Sequence, residues 1–137
     1  MSLIQLVYAS RPFGFDDATL NAILAAARHA NPLLDITGAL VCREDLYLQL
    51  LEGPEQAVRG LFAAIARDGR HMEVQVLADG PAAARLFPRW AMRDDPVASW
   101  MWSPAQIRAG AVAAATGDEV RAIFARVAAE ADQSAPS

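Results

Sequence analysis

Apolar and polar positions alternate with period two from Leu3 to Ala9, with Ile4, Leu6 and Tyr8 on one face and Leu3, Gln5 and Val7 on the other. That pattern predicts a strand, and because both faces are largely apolar, both need cover. Ser10 to Gly14 reads as a turn, punctuated by Pro12 and Gly14. Asp16 or Asp17 then caps a helix to about Ala30, whose inner stripe is Leu20, Ile23, Leu24 and Ala27. Asn31 continues that stripe, and Pro32 stops the helix. Ile36 to Cys42 is the next strand, in which Gly38 marks a bend or a close backbone approach. Arg43-Glu44-Asp45 turns the chain into the apolar run that begins at Leu46 and ends at Leu51. Gly53-Pro54 opens a second helix with Glu55 in its first turn, an inner stripe of Val58, Leu61, Phe62 and Ile65, and an end at Gly69-Arg70-His71. Met72 to Ala78 alternates with Glu73 and Gln75 as a half-exposed strand, and Asp79-Gly80-Pro81 follows as a turn. Leu86 to Arg93 is a short last strand on which Pro88, Trp90 and Met92 share a face; Pro88 restricts it to an edge or a strand start.

The order β-α-β-β-α-β-β predicts an α+β, ferredoxin-like sheet, mostly antiparallel, with two helices on one face. Pro96 to Trp102 is a connector carrying Trp100 and Trp102. Ser103-Pro104-Ala105-Gln106 has the capping-box pattern and opens a helix to about Ala115. Thr116-Gly117-Asp118-Glu119 repeats it before a second helix striped by Val120, Ile123, Phe124 and Val127. These two helices are expected on the other sheet face, where Leu3, Val7 and Leu48 require cover. The chain therefore divides into a core at 1–93, a two-helix cap at 94–131 and a disordered tail at 132–137.

Composition narrows the possibilities. The 137 residues suit one domain, and 54% of them are apolar. No apolar run approaches the roughly 20 residues of a membrane helix, so no membrane contact is expected. The apolar excess belongs instead to a core, a buried ligand pocket or a subunit interface, and a homo-oligomer is expected. One cysteine, Cys42, excludes an intramolecular disulfide and a cysteine-based zinc site. The N-terminus begins directly with strand pattern and shows no signal sequence, which predicts a cytoplasmic location. A net charge of −4 without a basic stripe argues against a nucleic-acid surface.

Gln49 interrupts the apolar run Leu46 to Leu51, sharing a face with Tyr47 and Leu51. A buried amide must find partners or cost about 1–3 kcal/mol. It has two donors and two acceptors, so backbone or water can satisfy it, or it can bind a molecule with donors and acceptors of its own. Asn31 is either a helix terminator or a second amide above the same face. Tyr8, Trp90 and Met92 each also read as ordinary core. Together, a phenol, two amides, an indole and a thioether make a poor catalytic set, but they suit a flat heteroaromatic ring with polar edges. No nucleophile–base pair, paired carboxylates, metal cluster or glycine-rich phosphate loop is evident, and His29 and His71 lack partners at ligand spacing. No enzyme is expected.

At this point the sequence resembles a known family, the BLUF domains, blue-light sensors using flavin. The resemblance is carried by Leu6-Val7-Tyr8-Ala9-Ser10-Arg11, Asn31-Pro32, Asp35-Ile36-Thr37-Gly38, Tyr47-Leu48-Gln49-Leu50-Leu51-Glu52-Gly53, Arg70-His71 and Phe87-Pro88-Arg89-Trp90-Ala91-Met92, in order and spacing over residues 1 to about 93. It implies a non-covalent flavin, FAD or FMN, bound by Tyr8, Ile23, Arg28, Asn31, Gln49, Leu51, Ile65, Arg70, His71 and Met92. It also implies roles. Asn31 would bind the ring carbonyl and N3 edge. Tyr8 would give an electron and a proton to the excited flavin. Gln49 would be the switching amide, with Trp90 and Met92 a semi-mobile pair beside it. Whether the amide rotates or tautomerises is disputed for the family. The C-terminal helices look like those of short, single-domain members, which signal through a separate, unidentified partner protein. The chain departs from the family's pattern at Ala30 and Ala64, where many members carry polar or basic residues for the flavin tail, and at Ala91, commonly serine. Arg28, His29, Arg67 or Arg70 could compensate. Two alternatives stay open: a light-independent ligand-binding or regulatory module of the same fold, and a small acylphosphatase-like hydrolase, for which Ser10-Arg11-Pro12-Phe13-Gly14 is a faint phosphate-loop candidate.

Overall fold

The computed structural model describes residues 3–12, 17–43, 46–67, 71–87, 93–96 and 101–131. In chain order it contains β1 (Leu3–Pro12), α1 (Asp17–Ala30), a 3-10 turn (Asn31–Leu34), β2 (Thr37–Arg43), β3 (Leu46–Pro54), α2 (Glu55–Ala66), β4 (His71–Pro81), β5 (Arg93–Pro96), α3 (Pro104–Arg108), α4 (Ala111–Ala114) and α5 (Gly117–Ala131). The strands form one sheet in the order β4-β1-β3-β2-β5. The first four are antiparallel, in the ferredoxin-like order, and β5 runs parallel to β2 at the edge.

Central placement explains the composition of β3. It pairs with β1 on one side and β2 on the other, and every residue from Leu46 to Gly53 is buried. Its alternation divides the core in two. Tyr47 and Leu51 join Ile4, Leu6, Tyr8, Leu40 and Val58 beneath α1 and α2. Leu48 and Leu50 join Val7, Ala39, Val41, Phe87, Trp102, Val120 and Phe124 on the opposite face. The C-terminal helices therefore cover the second face, as the sequence predicts. Gly38 is a close approach: a Cβ there would lie 2.0 Å from the Leu50 carbonyl oxygen. The Ser103 capping box is formed, with Gln106 N–H donating to Ser103 Oγ at 3.1 Å and Ser103 N–H to Gln106 Oε1 at 2.8 Å.

Several boundaries differ from the sequence pattern; Gly53-Pro54 close β3 and His71 opens β4. β1 continues past Ala9 because Arg11 and Pro12 pair with Met72 and His71 of β4, after two register shifts. β4 runs through the expected turn at Asp79-Gly80-Pro81, since these residues face Leu6, Gln5 and Ile4; as an edge strand it tolerates the proline. The C-terminal cap opens with two short helices rather than one, broken at Gly110, whose φ of 94° no helix can contain. Of the strand expected over Leu86 to Arg93, Leu86 and Phe87 are not in a strand and Arg93 pairs with Ala39 of β2. Leu86 and Phe87 cannot pair as a strand because both backbone N–H groups are taken by the carboxylate of Glu52. Residues 88–92 and the expected tail, 132–137, lie outside the described residues. Among the described residues, no helix is long and apolar enough to cross a membrane.

Candidate functional site

The register of the two central strands sets the site. Tyr8 of β1 lies directly opposite Gln49 of β3, and Leu40 of β2 flanks Gln49 on its other side. Both polar side chains are buried, Tyr8 fully and Gln49 to 3% exposure. The Tyr8 hydroxyl donates a hydrogen bond to Gln49 Oε1. This fixes the sense of the amide: its oxygen faces the phenol, and its NH2 end is directed elsewhere. The Phe62 ring of α2 packs on Tyr8 at a centroid distance of 5.4 Å and a tilt of 54°, within the favoured range for aromatic pairs. Phe62 belongs to the inner stripe read from the sequence, but its partnership with Tyr8 needs the strand order to be seen.

Asn31 opens the 3-10 turn after α1 and is fully buried. Its backbone carbonyl accepts from Ile36 N–H at 2.9 Å. Ile36 belongs to the Tyr8 cluster, so the turn that carries Asn31 is tied to that side of the sheet. Ile23 and Leu51 are buried in the same cluster, with Ile65 half-buried against it. The structure thus gathers Tyr8, Ile23, Gln49, Leu51 and Ile65. Arg28 and His29 are exposed in the last turn of α1, and Arg67 is exposed just beyond α2. His71 opens β4 opposite Pro12. Arg70, Trp90 and Met92 lie outside the described residues.

Over the site, α2 is fastened to β4 by Arg59, which donates to Asp79 at 2.8 and 3.1 Å and to Glu55 at 3.0 Å. These bonds, Asp79's foremost, raise the guanidinium above its ordinary range. The residues packed around Tyr8 are mostly aliphatic, with the Tyr47 phenol and the Cys42 thiol in the same cluster. Its polar side chains include the phenols of Tyr8 and Tyr47 and the amide of Gln49, and Asn31 is a second amide, fully buried. Phenols and amides of this kind can both donate to and accept from a ligand edge that alternates carbonyl and N–H groups. Among the described residues, no group of three His, Cys, Asp or Glu could hold a metal ion.

Glu52 is the residue that sequence reasoning left without a role. Its side chain is fully buried on the face opposite the Tyr8 cluster. Oε1 accepts from Gln5 Nε2 at 3.1 Å and Leu86 N–H at 2.8 Å; Oε2 accepts from Thr37 Oγ1 at 3.0 Å and Phe87 N–H at 2.7 Å. Burial of a carboxylate costs several kcal/mol, and hydrogen bonds to a charged group contribute about 1.5–3 kcal/mol each, so this set offsets the cost. The available signal was an acid on the same strand face as Leu48 and Leu50.

The family model named BLUF, sensors of blue light using FAD, matches residues 3–93. The dark-state structure of BlrB, a BLUF protein, is similar with a TM-score of 0.79 and 30% identity, over 94% of this chain and 97% of that one. Klebsiella pneumoniae BlrP1, solved with FMN and cyclic diGMP, is 34% identical with a TM-score of 0.64, over 69% of this chain and 26% of its own. Photoactivated adenylate cyclase subunit beta of Euglena gracilis is 35% identical over 92 residues, 66% of this chain. This chain spans only 10% of that cyclase subunit's length. Sequence and fold agree across the sheet and its two helices, and the chain belongs to the BLUF family, the sensors of blue light using FAD.

Proposed function

We propose that Gln49 is the light-switched group of this receptor, that Tyr8 is its electron and proton donor, and that Asn31 binds the polar edge of the flavin ring. A flavin, FAD or FMN, supplies blue-light absorption and, when excited, an electron acceptor. The protein supplies the rest. Tyr8 holds a proton on its hydroxyl, shared with the oxygen of Gln49. Gln49 has distinguishable ends, so its amide can exist in two hydrogen-bonded arrangements, with oxygen or nitrogen toward the phenol. The cluster of Ile4, Leu6, Leu40 and Leu51 excludes water, which would otherwise satisfy either arrangement equally and erase the difference. Asn31 anchors the ring while the Gln49 arrangement changes. Trp90 and Met92 complete the photoactive set, and Arg28, Arg70 and His71 contribute to the flavin tail.

Residues 1–93 hold the flavin, and 94–131 form the cap that relays its state to a separate signalling protein, with homo-oligomeric assembly in the cytoplasm. The receptor acts by binding rather than by catalysis, and not on nucleic acid or membrane. The single observation that supports this reading is the buried hydrogen bond from Tyr8 to Gln49. The test is an absorption spectrum of the flavin-loaded protein in the dark and after blue illumination. A small red shift of an otherwise intact flavin band is expected. Bleaching of that band, as a covalent thiol adduct gives, would refute the reading, since buried Cys42 has no role in it.

A further inference from the structure

Glu52 lies three residues beyond Gln49 on β3 and points to the face packed against the C-terminal helices. As filler it is poorly suited: an apolar residue continuing Leu48 and Leu50 would pack that face without burying a charge. What a carboxylate does there, and an apolar residue cannot, is hold two consecutive backbone N–H groups, those of Leu86 and Phe87, one on each oxygen. Fixing that backbone fixes the Phe87 side chain. The Phe87 ring meets Phe124 of α5 edge-on, with centroids 6.4 Å apart at 87°. Arg85 reinforces the attachment, donating to Thr37 Oγ1 at 2.8 Å and to the backbone carbonyls of Glu52 at 3.2 Å and Asp35 at 2.8 Å. Farther along the chain, Arg93 of β5 pairs with Ala39 of β2.

Resting on the reading of Gln49 as the light switch, we propose that Glu52 is a positioning residue for output: through Phe87 and Phe124 it makes the strand bearing Gln49 and helix α5 one mechanical unit, so that a rearrangement at Gln49 reaches α5. The contact is specific to a carboxylate. In Glu52→Gln, one oxygen becomes an NH2 group, which faces the N–H of Leu86 or of Phe87 whichever way the amide turns. One of the two attachments is lost while size is kept.

The test uses the full chain loaded with FAD. Hydrogen exchange across residues 117–131 is measured in the dark and under blue light, together with the absorption spectrum and the melting temperature. Wild type is expected to show a red shift and a light-dependent change in α5. Glu52→Gln is expected to keep flavin and red shift but to reduce the light–dark difference in α5 by about threefold or more. Phe124→Leu, which spares the Glu52 bonds and removes the edge-on ring, is expected to do the same, and it decides alone if Glu52→Gln does not fold. A lowered melting temperature with the α5 difference at wild-type size overturns the proposal. So does a wild-type α5 that is indifferent to light despite a normal red shift. Absence of any red shift in wild type overturns the switch reading itself, and this proposal with it.

Discussion

Tyr8 and Gln49 are direct cross-strand partners on β1 and β3, and the phenol donates to the amide oxygen. The pair is held on both sides of that bond: Tyr8 by Phe62 of α2, and Gln49 by its central position between β1 and β2. Tyr8→Phe removes one hydroxyl and little else, so flavin binding is expected to persist while the light-minus-dark spectrum disappears. Gln49→Leu removes both ends of the amide and should have the same effect. A normal red shift in Gln49→Leu would refute the role given to the amide.

On the proposed reading Asn31 has a different task, and its loss should read out differently. Removing a buried amide that hydrogen-bonds the ring costs about 1–3 kcal/mol, roughly 5- to 150-fold in flavin affinity. Asn31→Ala is expected to weaken binding by that amount, measured by titration of the apoprotein with FAD in the dark. Unchanged affinity would assign Asn31 to helix termination alone.

On the proposed reading, Arg28, Arg70 and His71 are expected to give the flavin tail only weak selectivity. Ala30 and Ala64 offer no donors, and the basic groups near them, Arg28, His29 and Arg67, are exposed. Exposed charges are screened by salt and contribute little. Discrimination between FAD and FMN is therefore expected to stay below about a hundredfold, roughly 2.7 kcal/mol, in parallel titrations with riboflavin, FMN and FAD.

Gly38 sits where β2 and β3 approach too closely for any side chain, a Cβ landing 2.0 Å from the Leu50 carbonyl oxygen. Gly38→Ala must push the strands apart one residue from Gln49 on the β3 ladder. A destabilisation of about 3 kcal/mol or more is expected, read as a lower urea midpoint. Wild-type stability in this variant would mean that the sheet yields more easily than the contact implies.

Much of this was legible in the sequence, for identifiable reasons. Strand alternation placed Tyr8 and Val7 on opposite faces, and the 3.6-residue stripes of α1, α2 and α5 named the residues that cover them. Gln49 stood out because an amide in an apolar run carries an unmet requirement. What local pattern could not give was pairing at a distance. Leu86 and Phe87 look like strand, yet their N–H groups belong to a carboxylate 34 and 35 residues earlier. Asp79-Gly80-Pro81 looks like a turn, yet β1 holds it in register. Phe62 shows its helical stripe in the sequence, but its contact with Tyr8 depends on the strand order.

The break at Gly110 divides the cap energetically. α3 has 5 residues and α4 has 4, far below the length at which a helix is stable in water, and none of their residues is fully buried. They touch the core only through partly buried side chains such as Ile107, Ala111 and Val112. α5 instead spans 15 residues and buries Val120, Phe124 and Val127. The cap thus consists of two cooperative units of unequal strength. Residues 104–114 are therefore expected to open at a small fraction of the global unfolding free energy, exposing backbone to a protease or to an unfamiliar surface, while α5 remains docked.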